Sequence, residues 1–349
     1  MPKELVAIAP RTPVIREYEE QPLKPNEVRV QSEFSSPKHG TELGVYRGTS
    51  PFSVRRWDSE LQMFLPREGI AAPGFPMALG NMTVGRVTEV GEAVKRLKVG
   101  ERVFGHYPIR ETHAVAENRV EGVAPEGMTS EAIVYWDPAE FALGAVRDGN
   151  VRLGDRVAVF GLGAIGQMVA QMCRLSGALE VIVVDPIERR RVQAIKHGAT
   201  VALNPLECDV GLEIKLATGK VGVDVSVEAS GAYPALHEAI RCTALGGTVV
   251  PLAFYVGEAK GLRLGEEWHM NRVTVLSSRA NTDPNRGHPV WDNKRIRGTA
   301  FELLRTQKLK VDGLVDPIVP FDESDEAYKR IDEHPEESIK LGVTYTNPT

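Results

Sequence analysis

The middle of the chain alternates short apolar runs with amphipathic stretches, and the first instance is the clearest. Residues 157–160 and 181–184 are apolar runs of strand length, and residues 167–175 between them have helical periodicity that ends before Gly177. Strands of a parallel sheet are buried on both faces, which gives continuous apolar runs, whereas a covering helix is apolar on one side. The segment 155–185 is therefore predicted to form a β-α-β unit.

Three glycines with G-x-G-x-x-G spacing, Gly161, Gly163 and Gly166, connect the first of these strands to the helix. The first glycine permits a tight turn, the second lets the backbone approach a pyrophosphate, and the third lets helix and strand pack closely. Ala164 and Ile165 lie in the same turn, where the free N–H groups of a helix start attract phosphate. The segment therefore predicts a dinucleotide-binding site.

The residue that follows the second strand decides between NAD and NADP. Asp185 lies about 20 residues beyond the glycines, where a carboxylate accepts hydrogen bonds from the ribose hydroxyls and repels a 2′-phosphate. We predict NAD rather than NADP. Arg190 belongs to the basic run 189–191, for which three interpretations stand: a solvated start of a helix, a polyanion contact, and a position beside the adenosine ribose.

The same alternation continues to about residue 275. It predicts helices at 190–197 and 235–242, and strands at 223–227, 248–252 and 273–277. Alternating strands and helices indicate a parallel sheet covered on both faces. Because ligands bind beyond the carboxyl ends of such strands, we expect the nicotinamide half of the cofactor near residues that follow two of them, namely Ala229, Ser230, Leu252, Ala253 and Phe254.

The rest of the chain has a different pattern. Short alternating runs divided by Pro and Gly predict a small, mostly antiparallel β domain, with strands at 5–8, 14–18, 27–32, 82–90 and 102–106. Residues 44–80 form a long connection that is either a substrate-covering loop or a plain surface excursion. The tail predicts helices at 298–305 and 324–331 and a strand at 339–345. We assign one domain to 1–136 with 290–349, and the cofactor domain to 137–289.

Composition narrows the function. The chain of 349 residues has a net charge of −5, and no segment concentrates Lys and Arg as a nucleic-acid site does. No apolar stretch has the length of a membrane span and the first residues do not begin a signal peptide, so we expect a cytoplasmic protein. The three cysteines are widely spaced, which predicts free thiols.

Four segments resemble the medium-chain dehydrogenase/reductase superfamily, which includes the zinc alcohol dehydrogenases. They are 23–28, 85–103, the glycine turn with 153–155 before it, and 316–340. The resemblance implies an α/β fold with two parts, a GroES-like β-barrel catalytic domain and a Rossmann doubly wound parallel-sheet domain for the cofactor. Residues 35–42 and 267–272 are similar to the branch with the bacteriochlorophyllide hydroxyethyl dehydrogenases and sugar or polyol oxidoreductases.

The chain departs from that superfamily at the catalytic zinc. His39 stands where zinc members have a Cys, and Asn81 stands where they have the His of a Gly-His-Glu turn. The third position corresponds to Asp137, which still offers a carboxylate. A carboxamide is a poor ligand, so the set falls short of the three ligands that a catalytic zinc needs. We predict no catalytic zinc.

Without zinc, a side chain must accept the proton of the alcohol hydroxyl. Lys38, His39 and Thr41 occupy the positions at which the family has its ligand and its proton-relay hydroxyl, and with Asn81 they are the candidate catalytic residues. We therefore predict an NAD-dependent oxidoreductase that interconverts a secondary alcohol, such as a sugar or polyol, and its carbonyl form.

Two other functions stay open, a zinc-free quinone or enoyl reductase that uses NADPH and a cofactor-binding sensor without turnover. The expected partners are a small alcohol or carbonyl substrate and further copies of the chain, with no nucleic acid and no membrane. The resemblance implies a homodimer, or a tetramer of such dimers, that pairs through the last strand of the cofactor domain near 272–277.

Overall fold

The computed structural model describes residues 1–67, 74–279, 282–283 and 286–346. The chain folds into two compact units. Unit 1 consists of Met1–Val134 and the chain from Val315 onward, and unit 2 consists of Tyr135–Leu314. Residues 290–314 thus belong with the cofactor unit and not, as we assigned them, with the first domain.

The strands of unit 1 that precede unit 2 are β1 (Lys3–Ala9), β2 (Thr12–Glu17), β3 (Glu27–Ser36), β4 (Arg55–Asp58), β5 (Met63–Pro66), β6 (Met77–Ala78), β7 (Met82–Val90), β8 (Arg102–Gly105), β9 (Thr112–Ala116) and β10 (Gly122–Val123). Unit 2 contains β11 (Arg156–Phe160), β12 (Glu180–Val184), β13 (Val201–Leu203), β14 (Val223–Glu228), β15 (Thr243–Pro251) and β16 (Thr274–Val275). The chain then returns to unit 1 with β17 (Ile318–Pro320) and β18 (Gly342–Thr344).

The α-helices of the described residues are α1 (His39–Tyr46), α2 (Ser130–Val134), α3 (Trp136–Asp148), α4 (Ala164–Leu175), α5 (Glu188–Lys196), α6 (Val210–Ala217), α7 (Tyr233–Cys242), α8 (Glu267–Met270), α9 (Asn293–Arg305) and α10 (Ser324–Glu333). None of the helices in the described ranges is both long and apolar enough to cross a membrane.

Unit 1 is built on β3, whose alternate positions are buried as expected for a strand with one face on a core. Its main sheet has the order β10-β8-β7-β3-β18-β17, with β9 also paired to β3, and a smaller sheet has the order β2-β1-β6. The carboxyl-terminal strand β18 pairs with β3 through Val343 and Ser35, which fits the expected return of the tail to the first domain.

One core of unit 1 fixes α1, the helix with the candidate catalytic residues. Tyr46 of α1 is fully buried and its ring meets that of Tyr328 on α10 edge to face, with centroids 5.1 Å apart. Leu5, Leu79 and Leu341 complete the same apolar cluster and are also fully buried. Helix α10 and the apolar cluster thus hold the carboxyl-terminal end of α1, where Tyr46 lies, in place.

Unit 2 is a six-stranded parallel sheet with the order β13-β12-β11-β14-β15-β16. The chain order reverses between β11 and β14, and doubly wound sheets bind nucleotides at the carboxyl edge of such a reversal. The predicted α/β fold with a Rossmann sheet is confirmed.

The strand predicted at 273–277 is only two residues long in the structure, as β16. The long connection 44–80 contains the hairpin β4–β5, and its residues 68–73 lie outside the described ranges.

Candidate active site and cofactor-binding loop

The glycine turn between β11 and α4 has the geometry that its spacing predicts. Gly161 has a φ of +83°, and a Cβ there would lie 2.6 Å from the backbone N of Ser230. A Cβ on Gly166 would lie 1.8 Å from the carbonyl oxygen of Gly161. Gly163, in contrast, has no atom within 4 Å of such a Cβ. Two glycines are therefore required by the protein itself, and the third leaves open space for a ligand.

The amino-terminal end of α4 offers unpaired backbone donors. The helix begins at Ala164, and its N-cap Gly163 has no side chain to bond the N–H groups of the first turn. Those groups, including those of Ala164 and Ile165, have no carbonyl partner in the helix. An anion such as a pyrophosphate matches them in charge and hydrogen bonding.

Asp185 follows β12 and is only 3% exposed. Its carboxylate accepts hydrogen bonds from the backbone N–H of Leu162 at 2.7 Å and of Ile187 at 2.8 Å. The guanidinium of Arg190 lies 3.9 Å from the same carboxylate. The carboxylate thus joins the glycine turn to the start of α5, and its contact with a ribose stays a prediction.

A carboxyl group that sequence reasoning missed lies beside this turn. Glu228 ends β14, is fully buried, and accepts the backbone N–H groups of Ser230 at 2.7 Å and Gly231 at 3.1 Å. The hydroxyls of Ser230 and Tyr255 also donate to it. Burial raises the pKa of Glu228 above its ordinary value, and these four donors oppose the rise. Glu228 therefore fixes the loop against which Gly161 packs.

The residues predicted to line the nicotinamide half gather around that loop. Ala229 donates its N–H to the carbonyl of Phe160 at 2.8 Å, and Leu252 donates to the carbonyl of Glu228 at 2.9 Å. A Cβ on Gly231 would lie 3.4 Å from the Cβ of Ala253 and 3.7 Å from the carbonyl oxygen of Phe254. Ala229, Ser230, Leu252, Ala253 and Phe254 are thus brought together at one edge of the sheet.

In unit 1, the carboxyl group of Glu42 links the backbone of Lys38, at the start of α1, to the turn that precedes Asn81. This side chain is half-buried, and its carboxylate accepts hydrogen bonds at 3.0 Å from the backbone N of Lys38, the backbone N of Gly80 and the hydroxyl of Tyr328. Burial raises the pKa of the Glu42 carboxyl, and the three donors oppose that rise. Glu42 thus ties the start of α1 to the turn that contains Asn81.

His39 is the first residue of α1, and its Nε2 accepts a hydrogen bond from the backbone N of Leu341 at 3.1 Å. A neutral imidazole has one lone pair, so this contact places its proton on Nδ1. Thr41 is exposed on the first turn of the helix, Lys38 is half-buried, and the backbone N of Asn81 donates to Ser36 at 3.2 Å. All four candidates therefore lie around the amino-terminal end of α1 in unit 1.

Lys340 is a second residue whose place the sequence did not reveal. It is 3% exposed and its Nζ donates to the carbonyl of Pro37 at 2.8 Å. Its charge lowers the pKa of the Glu42 carboxyl, against the larger effect of burial. The carboxyl-terminal strand region thus supplies a buried cation to the turn that precedes α1.

His39, Asn81 and Asp137 stand where zinc members of the resembled superfamily have their ligands. His39 uses its ring lone pair on Leu341. Among the described residues, neither His39 nor Asp137 belongs to a group of three His, Cys, Asp or Glu side chains close enough to share one ion. Within unit 1, His39 and Asn81 therefore do not by themselves supply the three ligands of a catalytic zinc site.

Comparison with known proteins identifies the family. Residues 52–144 match the family described as alcohol dehydrogenase GroES-like domain, and residues 164–293 match the family described as zinc-binding dehydrogenase. A D-guloside 3-dehydrogenase of Escherichia coli K12 is 45% identical over 350 residues, which cover 98% of this chain and 100% of that protein. The chain belongs to the medium-chain dehydrogenase/reductase superfamily. This medium-chain enzyme is an oxidoreductase of the alcohol dehydrogenase type, as predicted.

More distant members agree with the assignment. The (R,R)-butanediol dehydrogenase of Bacillus subtilis strain 168 is 31% identical over 227 residues, which cover 57% of this chain and 63% of that protein. The crystal structure of 2R,3R-butanediol dehydrogenase from Bacillus subtilis covers 100% of both chains with a TM-score of 0.77 and 23% identity. That likeness confirms the predicted two-part fold, with a GroES-like domain and a Rossmann domain, for this medium-chain dehydrogenase.

Proposed function

We propose that this enzyme oxidises a secondary hydroxyl of a glycoside to the ketone with NAD, and that no catalytic zinc takes part. The proposal rests on the glycine turn of unit 2, where Gly163 leaves open space for a cofactor. It also rests on the similarity of the chain, over 98% of its length, to a D-guloside 3-dehydrogenase. The relative's name specifies oxidation at position 3 of a sugar derivative. We therefore propose a ring hydroxyl of a hexoside as the reacting group.

The choice of NAD rests on the charge of Asp185. A carboxylate at the end of the second strand repels the 2′-phosphate of NADP, and here it lies in the turn that joins Leu162 to Ile187. NAD, when bound, accepts the hydride from the alcohol carbon. Fluorescence titration of the purified protein with both dinucleotides tests this, with tighter binding of NAD expected. Tighter binding of NADP would instead support the NADPH-linked quinone or enoyl reductase.

The proton of the hydroxyl needs an acceptor in unit 1. The neutral His39 has no ring lone pair left once Leu341 donates to Nε2, so we assign the acceptor role to Lys38 in its neutral amine form and a positioning role to His39. Thr41, exposed on the same turn, passes protons to solvent. Removal of a general base costs about 10²- to 10⁴-fold in rate, so Lys38→Met should lower kcat/KM by at least about 100-fold. His39→Gln should cost less and leave the pH dependence of kcat in place.

The decisive experiment follows NADH formation from a panel of D-gulosides, other hexosides and polyols, with the ketone position assigned by NMR. We expect turnover of glycosides and a ketone at carbon 3. Activity only towards polyols would contradict the glycoside assignment, and NAD binding without turnover of any compound would support the sensor. Chelator treatment should leave kcat unchanged, since the donors around His39 do not fit zinc. Loss of turnover in a protein that stays folded, restored by zinc, would contradict the zinc-free mechanism.

A further inference from the structure

A group of three potential metal ligands lies in unit 2, away from the glycine turn in sequence. His237 is on α7, Glu266 precedes α8, and Glu267 is the first residue of α8. One ligand atom from each side chain lies within 4.8 Å of the other two. The helices α7 and α8 thus bring one imidazole and two carboxylates to a common point.

The imidazole of this group is buried without a partner. His237 is 3% exposed, and among the described residues neither Nδ1 nor Nε2 has a hydrogen-bond partner. The Oε2 atom of Glu267 is enclosed in the same way. Buried polar groups that lack a partner destabilise a protein, so they are few in native proteins. A buried imidazole and a buried carboxylate oxygen that both lack partners, in side chains whose ligand atoms lie within 4.8 Å of each other, therefore indicate a ligand that both can bind.

We propose that His237, Glu266 and Glu267 bind a divalent transition-metal ion of the zinc class. An imidazole nitrogen with two carboxylate oxygens is a donor set that such ions accept, and three protein ligands leave a fourth position for water. Bonds of about 2.1 Å in a tetrahedral site set the ligand atoms roughly 3.4 Å apart. The ligand atoms of the three side chains lie within 4.8 Å of one another. Small side-chain rotations would shorten these distances to about 3.4 Å.

The surrounding charges leave one oxygen of each carboxylate for the ion. The Nε atom of Arg263 lies 2.7 Å from Oε2 of Glu266, and the Nε atom of Arg241 lies 3.5 Å from Oε1 of Glu267. These two arginines reduce the negative charge that attracts a cation, so they lower its affinity. Oε2 of Glu267, the enclosed atom, is not used by Arg241.

The position of the group suggests what a bound ion does. The segment from Leu252 to Glu266 begins beside Glu228, where Tyr255 donates to that carboxylate and packs its ring on Tyr233 with centroids 5.1 Å apart. Its other end is the proposed metal site on α7. An ion there fastens the far end of a segment whose near end lines the cofactor edge, so it stabilises unit 2 and takes no part in hydride transfer.

A second group offers a matched control. His334, Glu336 and Glu337 also meet the distance requirement, but His334 and Glu336 are exposed and Glu337 is only half-buried. Nδ1 of His334 already lies 3.3 Å from Glu336, and Glu337 pairs with Arg330. The two groups share a composition and differ in burial and in existing partners, so His334→Gln should leave metal binding unchanged.

The test is a Co²⁺ titration of the chelator-treated full-length protein, followed by the visible absorption of the bound ion. We expect one site per chain, and we expect Kd to rise at least tenfold in His237→Gln and in Glu267→Gln. His334→Gln and His39→Gln should match the wild type, which separates this site from the catalytic position. Glu267→Gln decides the matter if the buried His237 variant does not fold.

Three outcomes would overturn the assignment. They are no Co²⁺ binding by the folded wild type, unchanged binding in the folded His237 and Glu267 variants, and loss of the site only in the His334 or His39 variant. The titration needs no substrate or dinucleotide, so its failure leaves the proposed oxidation of glycosides untouched.

Discussion

Glu42 is a single side chain on which the candidate catalytic turn depends. It accepts hydrogen bonds from the backbone N of Lys38 through Oε1, and from Gly80 and Tyr328 through Oε2. A glutamine in its place keeps one acceptor and turns an NH₂ group towards a donor. We expect Glu42→Gln to lower the free energy of unfolding by about 1–3 kcal/mol, measured by urea denaturation.

Two further variants, Tyr328→Phe and Glu336→Gln, serve as comparisons for that measurement. Tyr328→Phe removes one donor from Glu42 and should cost about 1 kcal/mol. Glu336 is exposed, so Glu336→Gln should stay within about 0.5 kcal/mol of the wild type. Equal stability of the Glu42→Gln variant and the wild type would show that the three hydrogen bonds contribute nothing net.

Sequence spacing predicted those site residues whose contacts are close in sequence, and it missed those whose contacts are far apart in sequence. The three glycines of the turn and Asp185 belong to one β-α-β unit, so a local pattern identifies them. Glu228 and Tyr255 are 27 residues apart, and Glu42 and Tyr328 are 286 apart. No local pattern encodes such pairs, because the sheet order and the return of the tail create them.

At the scale of elements, the glycine turn separates a folding requirement from a binding requirement. A Cβ on Gly166 would lie 1.8 Å from the carbonyl oxygen of Gly161, so Gly166→Ala must push α4 away from β11. We expect it to destabilise the protein by about 1–3 kcal/mol or more. Gly163 has open space at the same position, so Gly163→Ala should leave stability unchanged and weaken NAD binding.

Thermal melts without cofactor and fluorescence titrations with NAD measure the two effects separately. A Gly163→Ala variant that melts below the wild type without cofactor would contradict this division of roles. So would a Gly166→Ala variant that folds with wild-type stability, because the close contact with the Gly161 carbonyl leaves it no room.

Element boundaries were predicted least well where burial or side-chain capping overrides periodicity. Most residues of α3 are buried around its whole circumference, so it has no amphipathic stripe and the sequence did not indicate a helix. The helix expected at 298–305 begins earlier as α9, because the side chain of Asp292 caps it by accepting the N–H of Arg295 at 2.8 Å. α9 packs on α3, with Trp136 and Phe301 in edge-to-face contact, and this contact places residues 290–314 in unit 2.

For the whole molecule, the exposed edge of the unit 2 sheet predicts self-association. β16 pairs with β15 on one side, and Val275 is 41% exposed. An uncovered edge strand presents unpaired N–H and C=O groups that another strand can bind. We expect light scattering at micromolar concentration to give about twice 38.2 kDa or a multiple of it.

A substitution at each end of the sheet tests where the copies meet. Val275→Lys on β16 should shift the mass to a single chain, since a buried charge opposes strand pairing. Val201→Lys on β13, the opposite edge strand, replaces a residue of similar exposure, 39%, and should leave the dimer intact. Dissociation by Val201→Lys alone would place the interface at the other edge.

The acid stability of the whole chain should depend on one buried histidine of unit 1. His113 on β9 is 5% exposed, and its Nε2 lies 3.1 Å from the hydroxyl of Ser32, which donates to the carbonyl of Arg110. Burial, with a smaller effect from the charge of Arg110, lowers the pKa of His113 from 6.5 to about 3. The native state therefore keeps this imidazole neutral at pH values at which the unfolded chain protonates it.

The sign of the effect follows from proton binding. Between about pH 6.5 and about pH 3 the unfolded state binds one more proton than the native state, so stability falls as the pH falls. Each unit of pKa difference corresponds to about 1.4 kcal/mol, which gives a loss of roughly 4–5 kcal/mol across the window.

Urea denaturation from about pH 7 to about pH 4 should show part of this loss in the wild type. His113→Gln keeps a donor for Ser32 without a titrating ring, so its stability should fall less over that range, whereas His334→Gln, at an exposed site, should follow the wild type. A slope that the His113 substitution leaves unchanged would assign the acid sensitivity to other groups.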